Sequence, residues 1–344
     1  MLVNLANGIA AIGVDVDFVV SDIDKPYLSQ LAPSIRLVRL QPDLVENTVE
    51  YLSSVTHDAV LCAKFSSLDI MLKARRKVGV TVPVYCRAVT NSSRQLQDKN
   101  IISRWRMYQK LKQVYRQVDG VIAVSAGVAR DVEMFAKGSK LQVEVANNPV
   151  ITPQFYSLAS ESVSHPWFEP GQPPVITGVG RLCRAKNFPL LLEAYAQVRR
   201  SKECRLMLLG EGRQRKFLEK RARELGVISD VAMPGFVENP YPYLKRSSLF
   251  VLSSNWEGSP NVLTEALALG TPVVATDCPS GPRELLQNGR YGGLVPVENG
   301  GLLAEAMLEM LEAPPSRKAL QSLVEGYTVE NSARQYLQAM NISV

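Results

Sequence analysis

Two groups of residues place charge where the chain is otherwise apolar. The first is "RLCRAKN", in which Arg181, Arg184 and Lys186 follow directly on the apolar segment 175–180. Cations just beyond a buried strand end supply the charge and the donors that a phosphate or diphosphate needs; a solvated basic loop is the competing reading. The second is "NWEGSPNVLTEALALGTPVVATD" (255–277), where Glu265 is the one charged side chain between Gly258 and Thr276 and Glu257 stands eight positions before it. Gly258 permits close backbone approach, Ser259 is placed to cap a helix, and Pro260 suits the first helical position. The free amides and positive end of that helix favour phosphate or polar oxygens. Glu257, in the same loop, can accept hydrogen bonds from hydroxyls, so the pair points toward a sugar phosphate. A buried Glu265 needs donors or must protonate. Either the vicinal hydroxyls of a ribose or a structural salt bridge to a nearby Arg or Lys would serve.

These residues have to be held by strands and helices. From Val175 onward, apolar runs at 175–180, 205–210, 230–235, 248–254 and 271–277 alternate with helical patterns at 189–199, 213–225 and 260–269. Continuous apolar strands separated by helices predict a parallel sheet covered on both faces, a doubly wound α/β domain. Residues 1–150 repeat the rhythm with runs at 16–21, 35–40, 58–63, 81–86 and 119–125. The Pro- and Ser-rich stretch 147–175 reads as the linker. Two domains are therefore expected: an N-terminal domain over 1–150, with a C-terminal helix at 328–344 packing back on it, and a C-terminal domain over 151–327. "MLVNLANGIAAIG" has helical spacing and no strand precedes it. The first strand of the N-terminal domain and its loop are thus either missing or not part of the design, which puts turnover by this chain in question.

Composition removes several reaction classes. The chain has 344 residues, enough for two cores, with 46% hydrophobic and 21% charged residues. It has two histidines, His57 and His165, so a His-built metal site or a Ser/His/Asp triad lacks raw material. The five cysteines are far apart with no C-x-x-C pair, which predicts reduced thiols. No run approaches a membrane span and no basic leader opens the chain, predicting a cytoplasmic protein.

The order and spacing of Arg181, "GEG" (210–212), "PGFV" (234–237) and "EGSPNVLTEALALGTPVVATD" resemble the C-terminal half of the family-4 retaining glycosyltransferases. The likeness is strong over about 172–312 and weaker in the N-terminal half, through "NLANGIAAIGVDVDFVV" and "DGVIAVSAGVARDV". It implies the GT-B architecture, two Rossmann-like domains facing a cleft, and transfer of a sugar with retention. By that resemblance, Arg181 and Lys186 hold the donor diphosphate, Glu265 binds the ribose, and the backbone at Gly235, Phe236 and Val237 meets the base. Glu257 and the helix start at Gly258, Ser259, Pro260, Asn261 and Val262 meet the donor sugar and its phosphate. It also implies a UDP-sugar donor, a polysaccharide or lipid-linked saccharide acceptor, and no metal or other cofactor. Many relatives place a His after the fourth N-domain strand. Here "VYCRAVTNSS" offers Arg87, which either supports phosphate or acceptor or is a surface arginine.

The net charge of +6 is concentrated: Arg87 to Arg116 holds eight basic residues against one acid, Asp98. Within 94–117, Ile101, Ile102, Trp105, Tyr108, Leu111 and Tyr115 recur at near-helical spacing. Such a helix can lie on an anionic membrane surface, placing the protein peripherally at the inner face, or it can bury that stripe in the core. No nucleic-acid motif accompanies the charge. Two other functions compete: a UDP-GlcNAc 2-epimerase-like enzyme, which would want histidines in the cleft, and a non-catalytic sugar-nucleotide-binding or scaffold protein.

Overall fold

The computed structural model describes residues 1–24, 27–97 and 100–343. Asp98 and Lys99 of the basic stretch, and Val344 at the end of the 328–344 segment, lie outside the described residues. The strands are β1 (Asp17–Val20), β2 (Arg36–Arg39), β3 (Val60–Cys62), β4 (Val84–Ala88), β5 (Gly120–Ala123), β6 (Gln142–Val145), β7 (Val175–Val179), β8 (Arg205–Leu209), β9 (Val231–Gly235), β10 (Leu249–Leu252), β11 (Val273–Thr276) and β12 (Gly293–Val295). The chain divides into two compact units, Met1–Val150 with Tyr327–Val344, and Ile151–Gly326.

In the first unit β1 pairs with β2, and β3-β4-β5-β6 run parallel in sequence order. Right-handed crossovers advancing in one direction put their helices on one face. Leu68, Leu72, Val114, Val128 and Phe135 from those helices bury that face. The other face is covered by Leu5 and Ile9 of helix Leu2–Ala11 and by Tyr336 and Leu337 of helix Val329–Ala339.

The second unit is one parallel sheet in the order β12-β11-β10-β7-β8-β9. Strands β7 to β9 step one way, and β10 returns to the opposite side of β7 before β11 and β12 continue outward. That reversal covers both faces with helices. Leu191, Tyr195 and Val198 of helix Phe188–Ser201 pack with Leu303 and Met307 of helix Gly300–Glu312. It also makes the carboxyl ends of β7 and β10 the topological switch point, where ligands of such sheets bind.

The mid-chain stretch differs from a linker. Residues from Ile151 on belong to the second unit, where Phe155 is fully buried with its ring centroid 4.6 Å from that of Tyr241. Phe168 packs edge-on against Tyr243. Pro and Ser remove helical periodicity, but widely spaced aromatics still anchor the strap. No described helix is long and apolar enough to cross a membrane.

Candidate nucleotide-sugar site at the switch point of the second unit

The loops after β7 and β10 are laced together. Ser253 Oγ donates to the Lys186 carbonyl at 2.8 Å, the Asn255 amide donates to the Ala185 carbonyl at 2.8 Å, and Asn187 Nδ2 donates to Asn255 Oδ1 at 3.0 Å. This lacing fixes Lys186 and Glu257 face to face: Lys186 Nζ lies 2.6 Å from Glu257 Oε1. Ser254 Oγ donates to the same oxygen at 2.6 Å. Both bonds fall on Oε1 of Glu257.

Ser254 is fully buried and was not singled out from the sequence. It is held in turn by Thr276 at the end of β11, whose Oγ1 donates to the Ser254 carbonyl at 2.6 Å. A serine ending an apolar strand has no pattern to mark it. Only the strand order shows that it stands beneath the catalytic-site candidate Glu257.

Helix Asn261–Ala268 carries Glu265. Leu263, Thr264, Ala266, Leu267 and Ala268 are buried, leaving Glu265 on the same stripe as Val262. Gly270, at φ +69°, ends the segment after Leu269. Burial pushes the Glu265 carboxyl up to about 7, and the nearby Lys186 charge opposes that rise. Among the described residues no side chain forms a hydrogen bond or ion pair with it. The salt-bridge alternative therefore finds no partner, and Lys186, the cation nearest in effect, is bonded to Glu257.

The start of this helix differs in detail from the sequence expectation. Pro260, not Ser259, occupies the cap, with no side-chain cap hydrogen bond, and the helix begins at Asn261. Gly281 explains the fit of this turn. It has φ +97°, and a Cβ there would lie 2.4 Å from Pro260 Cδ, so the loop after β11 seats directly on Gly258–Pro260. That third loop was also not read from sequence. The helix dipole at this start favours an anion.

The remaining candidates are distributed around this cluster. Arg181 is exposed in the β7 loop, with no ion pair among the described residues. Gly235 ends β9, two strands from β7, about 10 Å by interstrand spacing. The structure thus brings Lys186, Glu257 and Glu265 together and sets Gly235–Val237 apart from them. Phe236 is 71% exposed, whereas Val237 packs in an apolar cluster with Trp167, Phe168 and Tyr243. Arg215 Nη1 lies 2.6 Å from Glu211 Oε1 and so holds the "GEG" loop beside Gly235.

Arg87 of the first unit is not a surface arginine. Its Nε donates to Tyr336 Oη at 2.7 Å and its Nη2 to Asn148 Oδ1 at 2.6 Å, tying β4 to the C-terminal helix. Both histidines are also engaged: His57 Nε2 lies 2.7 Å from Tyr51 Oη, and His165 Nδ1 accepts from the Trp167 amide at 3.2 Å.

A family model described as "Glycosyl transferases group 1" matches residues 160–323. The chain is 32% identical over 209 residues to the N-acetylgalactosamine-N,N'-diacetylbacillosaminyl-diphospho-undecaprenol 4-alpha-N-acetylgalactosaminyltransferase of Campylobacter jejuni, covering 61% of this chain and 55% of that protein. It is 30% identical over 244 residues to the lipopolysaccharide core biosynthesis glycosyltransferase LpsE of Rhizobium meliloti, covering 70% of this chain and 69% of that one. The crystal structure of Anabaena Alr3699/HepE in complex with UDP and glucose matches with a TM-score of 0.77 at 17% identity, over 99% of this chain and 94% of that one. That likeness gives the fold as GT-B. With the motif-bearing unit matched by the family and a relative at 30% identity aligned over most of both chains, the chain belongs to the group 1 glycosyl transferases.

Proposed function

We propose that the protein is a retaining glycosyltransferase that moves a sugar from a UDP-sugar to a hydroxyl of a polysaccharide or lipid-linked saccharide, without a metal ion. The observation that carries this reading is the convergence of Lys186, Glu257 and a partnerless Glu265 on the switch point between β7 and β10.

Each group then has a task. Glu265 accepts hydrogen bonds from the two ribose hydroxyls, which supply the donors that its surroundings lack. Arg181, Lys186 and the start of helix Asn261–Ala268 face the diphosphate. As the bond between the sugar C1 and the phosphate oxygen breaks, negative charge grows on the leaving UDP, and these fixed positive groups stabilise it. Lys186 is paired with Glu257, so the donor phosphate competes for that ammonium. Glu257, steadied by Ser254, turns Oε2 toward the hydroxyls of the donor sugar. The acceptor oxygen bonds to C1 on the face that UDP leaves and its proton passes to the departing phosphate oxygen, so that positioning contributes more than a protein base.

The names of the relatives support the acceptor class. The Campylobacter protein is named for a diphospho-undecaprenol-linked saccharide and LpsE for the lipopolysaccharide core. Base contact at Gly235–Phe236 and metal independence belong to the same proposal.

The test is UDP release from a panel of UDP-sugars in EDTA, with the anomeric configuration of the product read by NMR. Turnover that persists in EDTA and retains configuration is expected. Absence of UDP binding, dependence on a divalent ion, or an inverted product would each refute the corresponding part. A binding-only protein would bind UDP and show no turnover with any donor and acceptor pair.

A further inference from the structure

Helix Ile101–Tyr115 carries an apolar stripe, and only its C-terminal end is seated. Leu111, Val114 and Tyr115 are buried in the first unit, and Tyr108 reaches the Phe135 ring at 5.1 Å. Ile101 is 84% exposed, Ile102 66% and Trp105 62%. At 100° per residue, Ile101, Trp105 and Ile102 fill an arc of about 100°, and every residue from Ile101 to Lys110 is exposed, so this arc stands clear of the core. Arg104 and Arg106 fall on the two borders of that arc, and both are exposed. The near-helical spacing that reads as one stripe in the sequence therefore divides along the helix, its C-terminal end belonging to the core and its first turns exposed.

Charge selects what covers the outward surface. From Asn100 to Val118 the chain has Arg104, Arg106, Lys110, Lys112 and Arg116 and no Asp or Glu. A second copy of the chain docking there by twofold symmetry would bring like charges together. An apolar arc containing Trp and bordered by arginines instead matches the boundary between acyl chains and anionic headgroups.

We propose that the first two turns of this helix are a membrane-contact element, seating Ile101, Ile102 and Trp105 in an anionic bilayer with Arg104 and Arg106 at its headgroup phosphates. The element is amphipathic and interfacial, and its C-terminal half stays anchored to the first unit. It goes beyond the proposed transfer reaction and does not depend on it.

Flotation of the full chain with phosphatidylcholine vesicles, with and without phosphatidylglycerol, tests this. Binding is expected only to the anionic vesicles, weakening as salt is raised. The triple variant Ile101→Ser, Ile102→Ser, Trp105→Ser should lose binding by about tenfold or more, and Arg104→Ala with Arg106→Ala should lose most of it. Because these side chains are exposed, UDP affinity in both variants should equal that of the parent, which separates failure here from failure of the nucleotide site. A blue shift of tryptophan emission on anionic vesicles should vanish in Trp105→Phe. Binding that is absent, equal on neutral vesicles or undiminished in the triple variant would overturn the proposal. So would a parent dimer that the triple variant renders monomeric.

Discussion

Asp17 and Glu265 are both carboxylates withdrawn from solvent, and their surroundings act on them in opposite directions. Asp17, the first residue of β1, receives Arg36 Nε at 2.7 Å on one oxygen and Tyr51 and His57 on the other. The Arg36 guanidinium, aided by Tyr51 and His57, holds its carboxyl far below the usual range against the cost of burial. It lies at the amino end of the strands, away from where such sheets bind ligands. Glu265 has burial without partners, its carboxyl is pushed up to about 7, and it lies beside the switch point. One carboxylate is fully used by the fold. The other is costly to the fold, a cost that the proposed ribose contact would offset.

The sharpest way to break this contrast is at Glu257, the other carboxylate of the proposed site. Glu257→Gln should lower kcat about 10²–10³-fold, measured by UDP release, while UDP affinity changes far less. A comparable loss in affinity would mean that Glu257 only shapes the pocket.

Asp17→Asn should destabilise the protein by about 1 kcal/mol in chemical denaturation, because Arg36 and His57 lose their shared charged acceptor while solvent screens the half-exposed arginine. UDP affinity should be unchanged. The pH dependence follows from the depressed value: the Asp17 contribution is present above its ordinary 3.8 and is lost as pH falls through the lower folded value.

Glu265→Gln should have the opposite sign. The folded value of about 7 lies above the ordinary 4.5, so the native state is favoured with the carboxyl protonated. That contribution is whole below 4.5 and disappears as pH rises through 7. At pH 8 the glutamine variant should therefore be more stable than the parent by on the order of 2 kcal/mol, and its denaturation profile should be flatter from pH 5 to 8. Equal stability at pH 8 would mean that Glu265 has a partner in solution.

The smallest effect on turnover is expected at Ser254. Ser254→Ala should reduce kcat about tenfold with KM little changed, since it removes a hydrogen bond to Glu257 and nothing that touches substrate. Ser254→Thr should recover part of the loss if the hydroxyl is what matters.

Much of this was legible in the sequence, and the failures have physical causes. Long apolar runs such as those at β7, β8 and β10 announce buried parallel strands because both faces are covered. Strand β6, with Gln142 and Glu144 exposed on an edge, and three-residue β12 lack such a run and were not found. Glu265 was visible because a charge stands out in an apolar helix. Ser254, Thr276 and the Gly281 turn were not, since small polar residues at strand ends gain meaning only once the strand order places them under Glu257. Spacing alone also merged Ile101 and Leu111 into one stripe, though the first lies in the exposed opening turns of the helix and the second in its buried end.

The central claim, that the switch point of the second unit holds a nucleoside diphosphate through Glu265, is tested most directly by calorimetric titration. UDP would be added at pH 7.5 in EDTA to the parent and to Glu265→Gln. The account predicts that the parent binds UDP and that the variant, though more stable, binds about 10–100-fold more weakly. Equal affinity in the two proteins would contradict it.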